Sequence, residues 1–376
     1  MKQEQEPAKQ EVTEVGDNVL RLELDISMPG LGHVNCYALT DKDGVALVDP
    51  GLPGPKTYET LVSRLKQADL AIKDIHSVIV THSHPDHFGG AARIAREAGA
   101  KVIGHANFSF GPAPHHDHTH DDPCAHSEAS VDDLAAHDEA EVHDEEALEA
   151  VSKAVVSHYV PSTPERRSKG TPWGGESAKP PLKMLLKWRF FQLIGKSKWY
   201  PEISDHVHAG DVLKLAGREW FVVHTPGHTE DHICLHDPEN KMFVAGDHIL
   251  PTITPHISGV SQRVDPLNAF FESLDQVAEI PDVESVIPAH GHPFNDLAGR
   301  AESIKHHHFE RLDAIKDIGR ELGPASVTDF SHKLFKKRSW GAMAESETYA
   351  HLEHLRIAGD AEVYENKERK LIYTTG

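Results

Sequence analysis

Short apolar runs recur along this chain, and each ends in small and polar residues. Val78-Ile79-Val80 is followed by Thr81-His82-Ser83-His84-Pro85-Asp86-His87. Phe221-Val222-Val223 leads into Thr225-Pro226-Gly227-His228, and Met242-Phe243-Val244-Ala245 into Gly246-Asp247-His248. Val286-Ile287-Pro288-Ala289-His290-Gly291 repeats the design. Apolar runs of this length, bounded by turn residues, predict buried strands. Leu47-Val48 ends in the same way at Asp49-Pro50-Gly51, and Lys101-Val102-Ile103-Gly104 adds a further strand. Val212 to Leu215, the turn Ala216-Gly217-Arg218 and the run Glu219 to Val223 predict a hairpin.

The texture changes from about Ala298. Ala301 to Leu322 reads as a long helix. Val327-Thr328-Asp329-Phe330 can cap and start a second, running to Lys336. Glu345 to Ala358 predicts a third, with Leu352, Leu355 and Ile357 as its apolar face. Ala361 to Tyr364 and Lys370 to Tyr373 read as two short strands around a turn.

The middle of the chain lacks this order. From about Gly111 to Ala150 the sequence is rich in His, Asp and Glu and contains no Lys or Arg. Low hydrophobicity with high net charge cannot offset the ordering entropy of a fixed fold, so a flexible insertion is expected. A metal-collecting arm is the sharper alternative, because His-rich tracts bind transition metals. Glu139 to Val156 has loose helical spacing, and Val160 to Pro181 is a loop rich in Pro, Gly, Ser and Thr. Leu182 to Ile194 has helical length and is basic and aromatic. A helix packed on the sheet is its plainer reading, and a wall of a substrate pocket its functional one.

Composition narrows the function. The 376 residues are 39% hydrophobic, enough for a real core, and no apolar stretch reaches the ~20 residues needed to span a bilayer. Residues 1–14 open with the polar Met1 to Glu6, have no apolar signal core, and predict a flexible tail on a cytoplasmic protein. The three cysteines, Cys36, Cys124 and Cys234, are widely spaced and form no Cys-x-x-Cys zinc motif. Cys36 and Cys234 read as small core residues on strands. The formal net charge of -21 argues against a polyanionic partner, because phosphate neutralisation supplies much of the affinity for nucleic acid.

The polar ends of the strands carry the candidate chemistry. Neutral imidazole and carboxylate suit zinc and similar divalent metals. Strand ends are rigid and can aim several such groups at one point. A one-metal catalytic site needs three protein ligands and an open position. His82, His84, Asp86, His87, His228, Asp247 and His290 supply enough ligands for two metals sharing a bridge.

At these residues the chain resembles the metallo-β-lactamase-fold hydrolases, over roughly Val15 to Leu297 and including Leu47 to Gly51. With Thr225 to His232 and a C-terminal extension, it is most similar to the branch containing β-lactamase-like protein 2 and glyoxalase II. The resemblance implies an α/β fold, a four-layer αββα sandwich over 15–297 with an insertion at 111–181. A winged-helix-like α+β domain over 298–376 would follow. It implies that one metal takes His82, His84 and His228, the other Asp86, His87 and His290, and that Asp247 bridges both. The cofactors would be two divalent ions, zinc first, with iron or manganese as alternatives.

Two such metals about 3.5–4 Å apart can hold a water and lower its pKa toward about 7, and the bridging hydroxide then attacks an electrophilic centre. Asp86 would also orient the nucleophile. His248 would either reach substrate as a donor or fill the strand end. Asp49 is expected to accept an N–H from a ligand histidine, and His232 to lie behind the ligands or in the core. His292 is a weaker candidate of the same kind as His248. The first functional reading is a hydrolase of a thioester, ester or lactone, with a small-molecule acyl substrate. The alternative is a metal-dependent endoribonuclease acting on single-stranded RNA, with Lys183, Lys187, Arg189 or Arg263 at its mouth. A metal-buffering protein is a third class. The winged helix reads as a packing or dimerisation module rather than a nucleic-acid reader, which leaves a homodimer open.

Overall fold

The computed structural model describes residues 2–28, 30–109, 171–174, 200–261 and 263–376. The His-rich stretch, most of the Pro- and Gly-rich loop, Cys124 and the basic helix expected over Leu182 to Ile194 lie outside the described residues.

Seven strands build the first sheet. They are β1 (Thr13–Gly16), β2 (Val19–Met28), β3 (Leu31–Asp41), β4 (Gly44–Val48), β5 (Ile75–Ile79), β6 (Lys101–His105) and β7 (Asp205–Val207), in sequential order. The first four pair antiparallel, and β4 to β7 pair parallel. The parallel half requires crossovers. Helix α1 (Pro55–Gln67) supplies one, and α2 (Pro85–Phe88) with α3 (Ala91–Ala98) supplies the next. The second sheet holds β8 (Val212–Leu215), β9 (Arg218–His224), β10 (Ile233–Asp237), β11 (Met242–Gly246) and β12 (Ser285–Pro288), in the order β12-β11-β10-β9-β8. Helix α4 (Pro266–Ala278) links β11 to its parallel neighbour β12.

The side-chain alternation of each strand sorts the core into layers. Val45 and Leu47 of β4 join Leu61, Leu65 and Ile94 of the helices on the outer face of the first sheet. Ala46 and Val48 point the other way, toward Trp220, Val222 and Val244 of the second sheet. On β11, Phe243 and Ala245 turn outward to Phe270 and Leu274 of α4. The result is helix, sheet, sheet, helix, as the resemblance implied. Cys36 and Cys234 are buried free thiols on β3 and β10, in the core role expected of them.

The C-terminal part continues the outer layer. Helix α5 (Leu297–Leu322) is followed by β13 (Ala325–Ser326), α6 (Val327–Leu334), α7 (Ala342–Ile357), β14 (Ala361–Glu365) and β15 (Leu371–Thr375). The strands pair in the order β13-β15-β14. Ser326 and Asp329 form a reciprocal cap at the start of α6, so two unpaired amides find side-chain acceptors. Ile304, Phe330, Leu352 and Tyr373 share one apolar cluster with Phe243 and Phe270 of the second sheet and α4. Trp173 enters the same cluster, and its carbonyl accepts from the Leu371 N–H (3.0 Å). Its composition had read as loop. Among the described residues no helix is long and apolar enough to cross a membrane.

The first residues depart from the expected flexible tail. Gln3–Gln5 forms one helical turn, and Glu4 is fully buried. Its carboxylate accepts from the Thr252 N–H (2.7 Å), the Thr252 hydroxyl and the Ile253 N–H (3.1 Å). Burial alone would push the Glu4 carboxyl up, but these donors hold it below its ordinary value. A segment docked by hydrogen bonds rather than by an apolar face leaves no hydropathy pattern to read.

Candidate metal centre

The candidate ligands lie in the segments that follow β5, β9, β11 and β12. His82 and His84 follow β5, and Asp86 and His87 lie in the short helix α2 begun by Pro85. His228 follows β9, Asp247 follows β11, and His290 follows β12. Gly246 turns with φ +52°, and a Cβ there would meet the His232 ring at 2.6 Å. Glycine therefore lets β11 deliver Asp247 past that ring.

The side chains converge as two groups. His84 Nδ1 lies 2.9 Å from His82 Nε2 and 3.1 Å from His228 Nε2. Asp247 Oδ2 lies 3.9 Å from His82 Nε2 and 3.6 Å from His228 Nε2. In the second group, Asp86 Oδ2 is 3.6 Å from His87 Nε2 and 3.5 Å from His290 Nε2. Asp247 reaches this group too, with Oδ2 3.6 Å from His87 Nε2 and Oδ1 3.3 Å from His290 Nε2. All seven residues singled out in the sequence as ligands thus come together, with Asp247 between the groups.

The backs of the rings are held. His87 Nδ1 donates to Asp49 Oδ2 (2.8 Å), the role expected of Asp49. The same carboxylate accepts from the Thr81 N–H (2.9 Å) and hydroxyl (2.8 Å), and Asp49 takes a left-handed φ of 54° to do so. His290 Nδ1 donates to the His33 carbonyl (2.7 Å), and His228 Nδ1 to the His256 carbonyl (2.8 Å). Each of these bonds turns the ring's Nε2 lone pair toward the centre.

Electrostatics separate the groups. Burial, with help from neighbouring imidazoles, pushes His82 and His84 well below their ordinary values, and burial lowers His228. These rings stay neutral. Burial would lower His87 and His290 as well, but the carboxylates of Asp86 and Asp247 overcome it and raise both. Burial would raise Asp247, yet His290 and His87 hold it well below the carboxylate range.

The arrangement fits divalent cations. Histidine nitrogens and carboxylate oxygens bind zinc at about 2.0–2.2 Å, which puts tetrahedral ligand atoms about 3.3 Å apart. The distances above bracket that value. His87 Nε2, His290 Nε2 and Asp247 Oδ1 are buried without a hydrogen-bond partner in the protein, and all face inward. Such atoms are costly unless a partner is supplied, and a cation between them supplies it.

Other candidates fall around this centre. His232 is fully buried, its Nδ1 donating to Thr225 Oγ1 (2.7 Å) and its Nε2 accepting the Asp247 N–H (3.0 Å). It fixes the backbone of the shared carboxylate. His248 is fully buried with its ring edge-on to Phe270 at 5.1 Å, and burial pushes it down to about 3. That placement favours packing over donation to a substrate. His292 pairs with Glu6 (3.0 Å), and Arg263 with Glu230 (2.6 and 2.8 Å). Lys183, Lys187 and Arg189 lie outside the described residues.

Several residues escaped the sequence reading. Asn35 Nδ2 donates to the Pro288 (2.8 Å) and Gly291 (2.9 Å) carbonyls, and Tyr37 to Pro288 (2.7 Å). They brace the turn that carries His290. The signal available was the alternation His33-Val34-Asn35-Cys36-Tyr37, a strand with polar groups on a buried face. The His256 contact is made by backbone and had no side-chain signal.

Comparison with known proteins agrees with the geometry. A profile of the Metallo-beta-lactamase superfamily matches residues 29–292. The chain is similar to the atrochrysone carboxyl ACP thioesterase dmxR1 of Cryptosporiopsis sp. (strain 8999), 30% identical over 34% of this chain and 40% of that protein. It is similar to the acyl-coenzyme A thioesterase MBLAC2 of Gallus gallus, 36% identical over 24% of this chain and 32% of that protein. The chain therefore spans less than half the length of either relative. The crystal structure of a metallo-beta-lactamase family protein, TTHA1429 from Thermus thermophilus, superposes with a TM-score of 0.65 at 24% identity. It covers 96% of this chain and 99% of that one, and it shows the shared fold.

Proposed function

The chain belongs to the metallo-beta-lactamase superfamily, and from that premise we propose that it is a two-metal hydrolase of small acyl thioesters. The observation that carries this reading is the placement of Asp247 within ion-pairing distance of both ligand groups. His82, His84 and His228 would hold one divalent ion, Asp86, His87 and His290 the other, and Asp247 both. Zinc suits these donors first, and iron or manganese share them. Bound there, the ions supply Lewis acidity toward the acyl oxygen and acidify a water to a pKa of about 7.

The protein's own groups do the rest. Asp247 fixes the spacing of the two groups, because His232 anchors its amide. Asp49 keeps the His87 proton on Nδ1, which leaves Nε2 free as a donor atom. Asp86 adds the second carboxylate, so the centre has two negative charges for two dications. It is thereby able to take up the charge that develops on an acyl oxygen during attack.

The thioester is favoured over the ester and lactone because both curated relatives above carry thioesterase names. The net charge of -21 supports a small substrate over RNA. We read the C-terminal helices and strands as a winged helix that serves packing, because Ile304, Phe330 and Leu352 are committed to the common core. The test is hydrolysis by the zinc-loaded protein of an acyl-coenzyme A, an aryl ester, a lactone and single-stranded RNA, with Asp247→Ala as the blank. Thioester turnover that vanishes in the blank is expected. Asp247-dependent RNA cleavage without thioester turnover would overturn the proposal.

A further inference from the structure

The residues from Lys2 to Lys9 support two sides of the centre at once. On one side Glu4 grips Thr252 and Ile253 through three hydrogen bonds. That loop runs from Asp247 to His256, whose carbonyl receives His228 Nδ1 (2.8 Å). On the other side the Glu6 carbonyl accepts from His33 Nδ1 (2.8 Å). This bond settles the tautomer, so His33 Nε2 accepts the Gly291 N–H (3.2 Å). The His33 carbonyl in turn holds His290 Nδ1 (2.7 Å).

The close approach is built into the strand below. A Cβ on Gly32 would lie 2.1 Å from the Glu6 carbonyl oxygen, so only glycine lets the segment close on β3. Gln3 Oε1 adds a bond to the His292 N–H (3.2 Å), beside the same turn. A buried carboxylate and a fixed histidine tautomer are costly ways to attach a tail. One contact ends on His33, whose carbonyl holds His290, and the other on Thr252 and Ile253, in the loop that leads to the His256 carbonyl.

Resting on the two-metal reading, we propose that this segment is part of the centre's support, with Glu4 and His33 as positioning residues. Glu4 fixes the loop behind His228, and His33 fixes His290. The ion held by Asp86, His87 and His290 depends on the segment more, because His33 bonds that ligand directly. Partners that orient metal-bound histidines typically contribute about 10–100-fold in metal affinity.

The test is metal titration of the full chain with Zn(II) against a competing chelator, and with Co(II) followed by its visible spectrum. Glu4→Ala and Gly32→Ala are compared with Gln5→Ala, a control whose side chain is exposed on the same segment. The first two variants are expected to weaken one of the two equivalents by about 10–100-fold and to alter that equivalent's cobalt bands. Glu4→Gln should recover part of the loss, since its amide oxygen still accepts an N–H. If Glu4→Ala does not fold, Thr252→Val removes a single hydroxyl donor and is read in the same way. Unchanged affinities and spectra in the folded variants, with only a lower melting temperature, would overturn the proposal and leave the segment a stabilising tail. A wild-type chain that takes fewer than two equivalents would instead defeat the two-metal reading.

Discussion

The two ligand groups stand side by side yet differ in charge. Around His82, His84 and His228 the chain offers three neutral rings, two buried and His84 half-buried, and shares one carboxylate. Around His87 and His290 it places Asp86 as well, and carboxylates raise both rings despite complete burial. Protons can therefore stand in for a cation in the second group and are excluded from the first. The difference teaches that one fold edge can present a nitrogen-rich, neutral cradle and a proton-competed, anionic one a single side chain apart.

Removing the shared residue breaks the comparison outright and has the largest expected effect. Asp247→Ala should reduce thioester turnover to the blank and remove metal from both groups. In the metal-free protein it should also cost about 3–5 kcal/mol by denaturant melt, because raised His87 and His290 lose a buried partner. His84→Ala and Asp86→Ala sharpen the contrast. Each should abolish turnover, yet elemental analysis should find about one equivalent retained, since each variant spares the other group.

A smaller effect is expected at Asp49. Asp49→Ala removes the acceptor of His87 Nδ1 and should weaken the Asp86, His87 and His290 site by about 10–100-fold, measured by chelator competition. The other group should be little changed.

The mildest probe is pH. Because His87 and His290 are raised, metal must displace their protons, and acidification should strip that group before the other. In the metal-free protein, protonation of these two rings is linked to folding. The raised rings contribute stability that is fully present below about 6.5, the free-histidine value, and is lost as pH rises through their raised values. Melts of metal-free protein should therefore lose stability toward alkaline pH, and Asp247→Ala should flatten that slope. Equal loss of both ions on acidification would erase the contrast.

The seven candidate ligands were legible in the sequence because they lie in the short segments that follow apolar strands, and strand period and turn chemistry are local signals. His82 to His87, His228, Asp247 and His290 needed no tertiary information to be found. Their support was harder to read. Glu4, His33 and the His256 carbonyl act across long stretches of chain, through polar contacts that have no periodicity. Trp173 was hidden for a related reason, since one aromatic among Pro, Gly and Ser does not predict a core position. His248 is a different case: its place beside Asp247 left open a donor to substrate or a filler of the strand end, and its buried ring lies against Phe270.

In the proposed centre Asp247 would join two metals. The most direct measurement is the number of zinc equivalents retained per chain after gel filtration, wild type beside Asp247→Ala. Two are expected in the wild type, with loss from both groups in the variant. Two equivalents retained by a folded Asp247→Ala chain would contradict the claim.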